Sequence, residues 1–213
     1  MQYRSSLVKL ERQLFNKYRQ TQMTNRVLQP CDVFINHRGT DTKRTVATLL
    51  YDHLSRLNLS PFLDNKNMKP GDKLFEHINE AIRQCKIGVA VFSPRYCESY
   101  FCLHELALMM ETKKKVIPIF CDIKPSEIRI VDKGLCSEEE IKKFNLAIEE
   151  AKYTVGLTFD SLKGNWSEVV TNASEIVIDS LIEIQNEKHI RRRKIQMPSQ
   201  FILSPSSAMK NRI

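Results

Sequence analysis

Glu105 is a carboxylate on a helix face that is otherwise apolar. Read as a helix at about 100° per residue, the segment 99–111 places the polar side chains His104 and Glu111 on one narrow arc. Glu105 lies off that arc, one turn after Phe101, on the face that should pack against the protein. Burying an ionised carboxylate costs several kcal/mol unless it has a partner or its pKa shifts. Glu105 is therefore the first candidate for chemistry, with a surface glutamate that reaches solvent or pairs with a lysine as the structural alternative.

Alternating strand and helix patterns predict an α/β fold with an open parallel sheet. The predicted strands are 31–36, 60–63, 87–92, 116–120 and 153–159, and the predicted helices are 41–57, 74–85, 99–111, 137–152 and 169–184. Such alternation places helices on both faces of the sheet. Ligands then bind outside the carboxyl ends of the strands, where the loops 36–40, 64–72 and 93–99 meet near Glu105. No glycine-rich phosphate loop follows a strand, so ordinary dinucleotide and P-loop sites fit poorly.

The positive charge of the chain belongs to its two ends. The chain has 213 residues and a formal net charge of +8. Residues 188–213 and 1–29 are both strongly basic, which leaves residues 30–187 at about −4. We therefore divide the chain into a basic N-terminal extension (1–29), one domain (30–187) and a basic C-terminal tail (188–213) that we expect to be disordered. This division argues against a nucleic-acid groove on the domain and leaves only contacts through the tails.

Hydropathy and cysteine usage predict a cytoplasmic protein. No segment has the roughly 18 apolar residues of a membrane span, and no stable membrane insertion is expected. The six cysteines show no C-x-x-C pair, which predicts free thiols and no metal site. The run Arg191–Lys194 fits a nuclear localisation signal or a nucleic-acid contact as well as a solvated tail. The segment 7–18 predicts a basic amphipathic helix that binds a membrane surface or a partner, or packs on the domain.

Several motifs resemble plant Toll/interleukin-1 receptor (TIR) domains, in particular proteins of the TIR-only or TIR-X type. The motifs are Cys31–Lys43, Phe92–Tyr96, the S-x-x-C-L-x-E-L run at 99–106, Val116–Phe120 and Lys124–Ser126. With the final helix, the resemblance covers about residues 30–187. It implies a flavodoxin-like five-stranded parallel sheet with helices on both faces, which agrees with the strand and helix patterns.

The resemblance implies an activity for Glu105. In plant TIR domains the glutamate of the C-L-x-E-L motif cleaves NAD⁺ between nicotinamide and ribose, and Glu105 occupies that position. The implied products are nicotinamide with ADP-ribose or cyclic ADP-ribose variants, in innate immune signalling and cell death. NAD⁺ is then a substrate, and no cofactor is needed. The resemblance also implies self-association and contact with TIR-containing immune receptors. The alternatives are a catalytically weak adaptor that joins such assemblies and a nucleic-acid-linked activity that uses the basic tails.

The resemblance also implies roles for other residues. Phe101 stacks the substrate where many relatives have Trp, and Arg38 beside Gly39 is the substrate-side cation. Ser99, at the start of the glutamate motif, is a further substrate-binding candidate. The segment 64–72 resembles the BB loop, which moves to open the pocket and contacts a neighbouring subunit. Its candidate residues are Asp64, Asn65, Lys66, Lys69, Pro70 and Gly71.

Two departures from the family pattern bear on function. His37 stands where Phe usually precedes Arg-Gly, and a histidine at a strand end is more often structural than a proton carrier. Thr48 and Leu49 replace a Ser-His pair that packs a self-association interface in the family. The second departure weakens the case for that interface, although neither removes the carboxylate.

Overall fold

Five parallel strands form one sheet in the order β2-β1-β3-β4-β5. The computed structural model describes residues 31–68, 71, 73–130 and 136–196. The strands are β1 (Val33–His37), β2 (Pro61–Phe62), β3 (Ile87–Phe92), β4 (Lys115–Cys121) and β5 (Leu157–Phe159). This is the flavodoxin-like order, so the predicted fold class is confirmed. The order reverses between β1 and β3, and that crevice is where such sheets bind ligands.

Helices cover both faces of the sheet. Within the described ranges they are α1 (Gly39–Thr42), α2 (Val46–Arg56), α3 (Asp64–Asn67), α4 (Leu74–Gln84), α5 (Tyr100–Glu111), α6 (Glu138–Lys152) and α7 (Trp166–Gln196). One apolar core lies between the sheet and α4, α5 and α6, and the other lies between the sheet and α2 and α7. Because side chains alternate along β1, Phe34 belongs to the α5 side whereas Val33 and Ile35 belong to the α2 side.

Some element boundaries differ from the predictions. The predicted helix 41–57 is two helices, because Thr45 leaves the helical region with φ −130° and ψ −117°. The segment 64–72 contains the single-turn helix α3 rather than turns alone. The strand predicted at 153–159 begins only at Leu157, because the amides of Tyr153 and Thr154 still bond to carbonyls of α6 and form the turn that ends it.

The last helix continues past residue 187, where we expected a disordered tail to begin. It ends at Gln196. Residues 188–196 favour helix because they contain no Gly or Pro, and because Arg191 pairs with Glu187 at 3.6 Å, four residues earlier. Residues 1–30 and 197–213, including the predicted helix 7–18, lie outside the described residues. No helix in the described part of the chain is long and apolar enough to cross a bilayer.

Cys31 and Cys85 form a disulfide, with their Cα atoms 4.4 Å apart. The prediction of free thiols was therefore wrong for these two residues, while Cys97, Cys102 and Cys121 are free thiols. The reason is the strand register. Val33 of β1 pairs with Ile87 of β3, so the residues two positions earlier in each chain segment also meet, across 54 residues of sequence.

Gly156 lies where β5 approaches β4, and we expect Gly156→Ala to destabilise the protein by about 1–3 kcal/mol. A Cβ at this position would lie 2.4 Å from the carbonyl oxygen of Pro118 and 2.9 Å from the ring of Phe120. Urea unfolding measures the effect. Gly39→Ala is the control, because its Cβ would meet nothing closer than Lys43 Cδ at 3.9 Å. Equal unfolding midpoints for the two variants would contradict the expectation.

Candidate active site

Glu105 lies inside the protein at the point where the strand order reverses. It belongs to α5, which follows β3, and only 9% of its surface is exposed. Its Oε2 accepts a hydrogen bond of 2.7 Å from Nδ2 of Asn36, near the carboxyl end of β1. The predicted inward orientation of Glu105 is therefore confirmed. The structure places a carboxylate at the sheet edge where ligands bind in this fold.

Asn36 organises the polar contacts around Glu105. It is fully buried, and its Nδ2 also lies 3.2 Å from the carbonyl oxygen of Cys102. The hydroxyl of Tyr96, which follows β3, donates to Asn36 Oδ1. One side chain thus joins β1, the β3–α5 connection and the carboxylate. Sequence reasoning missed Asn36 and Tyr96 as site residues, although an asparagine in a strand that is otherwise apolar was a usable signal for Asn36.

Burial raises the pKa of Glu105 to about 8. The hydrogen bond from Asn36 opposes this shift, and the negative charge of Asp64 adds to it. At pH 7 the carboxyl group is therefore mostly protonated in the free protein. A cationic group placed beside Glu105 would favour its ionised form. A strongly shifted carboxyl at a ligand-binding edge marks a candidate catalytic group.

His37 lies at the end of β1, within the electrostatic reach of Asp64. It is buried, and its Nε2 has no hydrogen-bond partner among the residues that the structure describes. Burial lowers the pKa of His37, while the Asp64 carboxylate opposes that shift. The imidazole is therefore neutral at neutral pH. The negative charge of Asp64 acts on both His37 and Glu105, so the first residue of the BB loop lies beside the candidate site.

Arg38 and Ser99 lie near the first turn of α5. Ser99 caps that helix, since its Oγ accepts a hydrogen bond of 3.4 Å from the amide of Cys102. Burial raises the pKa of Cys102 to about 12, and the positive charge of Arg38 is among the influences that oppose this shift. The Nε of Arg38 is buried without a hydrogen-bond partner in the described ranges. Gly39 begins α1 and is exposed. Roles for Arg38, Gly39 and Ser99 in substrate binding stay predictions.

The remaining BB-loop candidates are spread along the segment. Lys66 faces α2, where its Nζ lies 3.6 Å from Asp52 and 5.7 Å from the ring centroid of Tyr51. Asn65 belongs to α3, and Gly71 has the left-handed φ of +98° that suits glycine. Lys69 and Pro70 lie outside the described residues. Asp64 is thus the loop candidate whose charge the structure connects to Glu105.

Phe101 lies at the protein surface rather than on the buried face with Glu105. It is 39% exposed, although Cys102 and Leu103 in the same turn of α5 are buried in the core. One side of its ring stacks on Phe75 of α4, with the centroids 4.9 Å apart and the planes at 28°. Tyr100 and His104 contact Phe75 edge-on. Sequence reasoning missed Phe75, which pairs with the candidate stacking residue across two helices.

Comparison with known proteins identifies the family. The family profile described as TIR domain matches residues 31–189. The probable 2′ cyclic ADP-D-ribose synthase BdTIR of Brachypodium distachyon is 46% identical over 174 residues, covering 80% of this chain and 76% of that protein. The TMV resistance protein N of Nicotiana glutinosa is 37% identical over 102 residues, covering 46% of this chain and 9% of that protein.

A solved structure agrees with these sequence matches. The TIR domains of the activated Roq1 resistosome superpose with a TM-score of 0.60 at 25% identity, covering 69% of this chain and 99% of that one. The sequence match spans most of the chain, and the resemblance seen in the motifs is confirmed. This chain belongs to the TIR domain family.

Proposed function

We propose that this protein cleaves the bond between nicotinamide and ribose in NAD⁺ and closes the remaining ADP-ribose into a cyclic product. The observation that carries the proposal is the buried Glu105 carboxyl, held by Asn36 at the ligand-binding edge of the sheet. The 46% identity to a probable 2′ cyclic ADP-D-ribose synthase supports the same reaction class. Matches to plant disease resistance proteins support a role for the product in plant immune signalling.

One carboxylate is enough for the bond-breaking step. The bond between ribose C1′ and nicotinamide N1 breaks, and its electron pair neutralises the positive charge on nicotinamide. No general acid has to protonate this leaving group, unlike the oxygen that leaves in an ordinary glycosidase. Positive charge develops on the ribose, where the ionised Glu105 stabilises it. The cationic substrate also favours the ionised form of Glu105, whose pKa is about 8 in the free protein.

The second step decides between a cyclic and an open product. A hydroxyl of the same molecule attacks C1′, a new C–O bond forms, and the hydroxyl proton passes to Glu105. Attack by water instead gives open ADP-ribose. Glu105 is only 9% exposed in the closed protein, so closing the loop again over the bound substrate would keep water from the reacting carbon and favour the intramolecular attack. We assign the cyclic compound as the main product and ADP-ribose as the minor one.

Substrate reaches Glu105 only when the surrounding loop moves. The BB loop begins beside the site, since the charge of Asp64, its first residue, acts on Glu105. Opening it admits the nicotinamide and ribose, while Phe101 offers an exposed aromatic surface at the entrance. We propose that Arg38 contacts the pyrophosphate, and its buried Nε, which has no partner among the described residues, supports this role. The proposed roles of Phe101 and Arg38 both apply to the state in which the BB loop is open.

Nicotinamide release from purified protein tests the proposed reaction. Wild type and Glu105→Gln are incubated with NAD⁺, and nicotinamide, ADP-ribose and cyclic products are separated by chromatography with mass detection. Release by wild type alone supports the proposal. Equal release by both proteins, or none from either when oligomerisation is forced, would overturn it. If Glu105→Gln still causes cell death in leaf tissue but no loss of NAD⁺, the result would instead support the adaptor alternative.

Assembly is the expected context of the activity, because the matching Roq1 TIR domains were solved within a resistosome. Leu49 on α2 is 44% exposed, and Ile176 on the neighbouring helix α7 is 37% exposed. The substitution at Thr48 and Leu49 removes the family's Ser-His contact, and we propose that these surfaces nevertheless join two copies of the chain through an apolar contact that includes Leu49.

Leu49→Asp is expected to weaken self-association about tenfold, since burying an unpaired carboxylate opposes the contact. Sedimentation velocity measures the assembly, and nicotinamide release measured against protein concentration reports its effect on activity. Leu146→Asp is the matched control on α6, where Leu146 is 64% exposed. Equal assembly by wild type and Leu49→Asp would show that this interface is wrong.

A further inference from the structure

A cavity of about 610 Å³ opens at the edge of the sheet opposite to Glu105. Its walls are the C-terminal ends of α4 and α5, the residues just before β3, the first residue of β4, and part of α7. Glu105 lies at the carboxyl edge, whereas this cavity lies at the amino edge. The proposed NAD⁺ site therefore does not use it. Its volume falls within the range of roughly 300–1,000 Å³ that small-molecule sites occupy.

Basic side chains dominate the cavity. The cations that line it are Arg83, Lys86, Lys113, Lys114, Lys115 and Lys188, and the acids are Glu183 and Glu187. Lys115 pairs with Glu183 at 2.6 Å, and Lys86 pairs at 2.6 Å with Asp32, outside the lining. Glu187 pairs with Arg191, also outside the lining. The other four cations have no salt bridge within the described ranges, so the cavity carries excess positive charge.

Lys114 and Lys188 bring like charges together in this cavity. Lys114 is half-buried, and its Nζ donates a hydrogen bond of 2.8 Å to the backbone carbonyl of Arg83. Burial lowers the pKa of Lys114, and the positive charge of Lys188 lowers it further. The carbonyl ends of α4 and α5 attract cations, but each helix end supplies only about half a charge. An anion bound between the two lysines would relieve the repulsion that remains.

Lys113 occupies a backbone position that normally favours glycine. Its φ is +53°, and it directly follows the C-cap Thr112 of α5. The amides of Lys113 and Lys114 bond to the carbonyls of Met110 and Met109, both at 2.9 Å, which is the Schellman pattern. A side chain in this conformation costs free energy relative to glycine. A cationic side chain lines the cavity despite that cost.

We propose that the cavity between α4, α5, β4 and α7 is a binding site for a ligand that carries two or more phosphate groups. Arg83 offers a planar fork of donors, and the lysines offer mobile point charges, which together match phosphate oxygens. Because four of the cations have no acidic partner, a ligand that neutralises them carries more than one negative charge. The site is separate from NAD⁺ cleavage and does not depend on the proposed function.

Calorimetric titration of the full chain with sodium tripolyphosphate tests this site at about 0.15 M salt, where weak surface attraction is largely screened. We expect saturable binding with a stoichiometry of one per chain. Lys114→Gln with Lys188→Gln should weaken binding at least about tenfold, because two charged donors are lost. Lys142→Gln with Lys163→Gln is the matched control, since both residues are exposed and lie outside the lining.

Three results would overturn the proposal: no heat of binding, equal weakening by both variant pairs, or loss of tripolyphosphate binding in Arg38→Gln while Lys114→Gln with Lys188→Gln keeps it. The last would assign the binding to the Glu105 site. A failed NAD⁺ cleavage assay would leave the proposal unaffected.

Vesicle binding identifies the source of the phosphates once tripolyphosphate binds. Vesicles of phosphatidylcholine with a phosphoinositide are compared with phosphatidylcholine alone. A lipid headgroup is supported if the wild type binds the phosphoinositide vesicles and the variant Lys114→Gln with Lys188→Gln does not. Tripolyphosphate binding without vesicle binding supports a soluble metabolite. Binding of duplex nucleic acid in the absence of tripolyphosphate binding would contradict a small-ligand site.

Discussion

Glu105→Gln abolishes NAD⁺ cleavage and raises the melting temperature of the protein at pH 8. Glutamine has the shape of glutamate, and its Oε1 can accept the same hydrogen bond from Asn36. It cannot carry negative charge, so the positive ribose of the transition state loses its stabilising partner. We expect nicotinamide release to fall at least about 100-fold, the size of effect seen when one such electrostatic contact is removed.

The gain in stability follows from the pKa of Glu105. The folded-state pKa is about 8 against an ordinary 4.5, so the unfolded chain ionises first as the pH rises. Folding is therefore opposed increasingly between pH 4.5 and pH 8, by roughly 3 kcal/mol at pH 7. Glutamine removes that linked cost. The difference in melting temperature between variant and wild type should grow with pH to about 8 and vanish in acid.

The rate of cleavage should increase with pH, whereas the stability contributed by Glu105 decreases with pH. Because free Glu105 must ionise, kcat/KM for NAD⁺ should rise about tenfold per pH unit below the pKa and level off above about 8. Thermal unfolding and initial rates from pH 5 to 9 measure both trends. Glu150→Gln on the exposed side of α6 is the control and should change neither. A kcat/KM that is flat from pH 6 to 8 would contradict the assignment.

Asn36→Ala has the second large effect, because it removes the partner of a buried carboxylate. Glu105 and the Tyr96 hydroxyl both lose a hydrogen bond, and neither has access to bulk water. We expect a loss of about 2–3 kcal/mol in the free energy of unfolding. Chemical denaturation at pH 7 measures it.

A change in the pH profile separates the positioning role of Asn36 from a purely structural one. The hydrogen bond from Asn36 lowers the pKa of Glu105, so its removal raises that pKa further. The kcat/KM profile of Asn36→Ala should then move to higher pH, and a move of about one pH unit lowers kcat/KM at neutral pH about tenfold. Ser174→Ala removes a buried hydroxyl between α7 and His53 and should cost stability without moving the profile. An unmoved profile in Asn36→Ala would reject the positioning role.

Local patterns in the sequence predicted most of the elements around the site. The apolar run at 87–92 is the central strand β3, and the pattern after Ser99 is helix α5. The inward orientation of Glu105 followed from the 3.6-residue period alone. These features could be predicted because period and composition depend on residues that are close in the chain.

Other features depended on contacts that no local pattern contains. The break at Thr45 and the extension of α7 to Gln196 changed element boundaries, which are the weakest part of such predictions. Phe101 shared the predicted face with Glu105 but is 39% exposed, although Cys102 and Leu103 beside it are buried. Phe75 then covers one side of its ring from a separate helix.

The sequence by itself determined the fold class, the helix that carries Glu105 and the face on which it lies. Only the tertiary structure decided that Asn36 holds the carboxylate, that the charge of Asp64 acts on it, and that burial raises its pKa to about 8. The register of β1 against β3 places Asn36 beside α5 across 69 residues of sequence, and the same register joins Cys31 to Cys85. Period and composition specify what a segment becomes, whereas the protonation of Glu105 depends on groups that meet only when the sheet assembles.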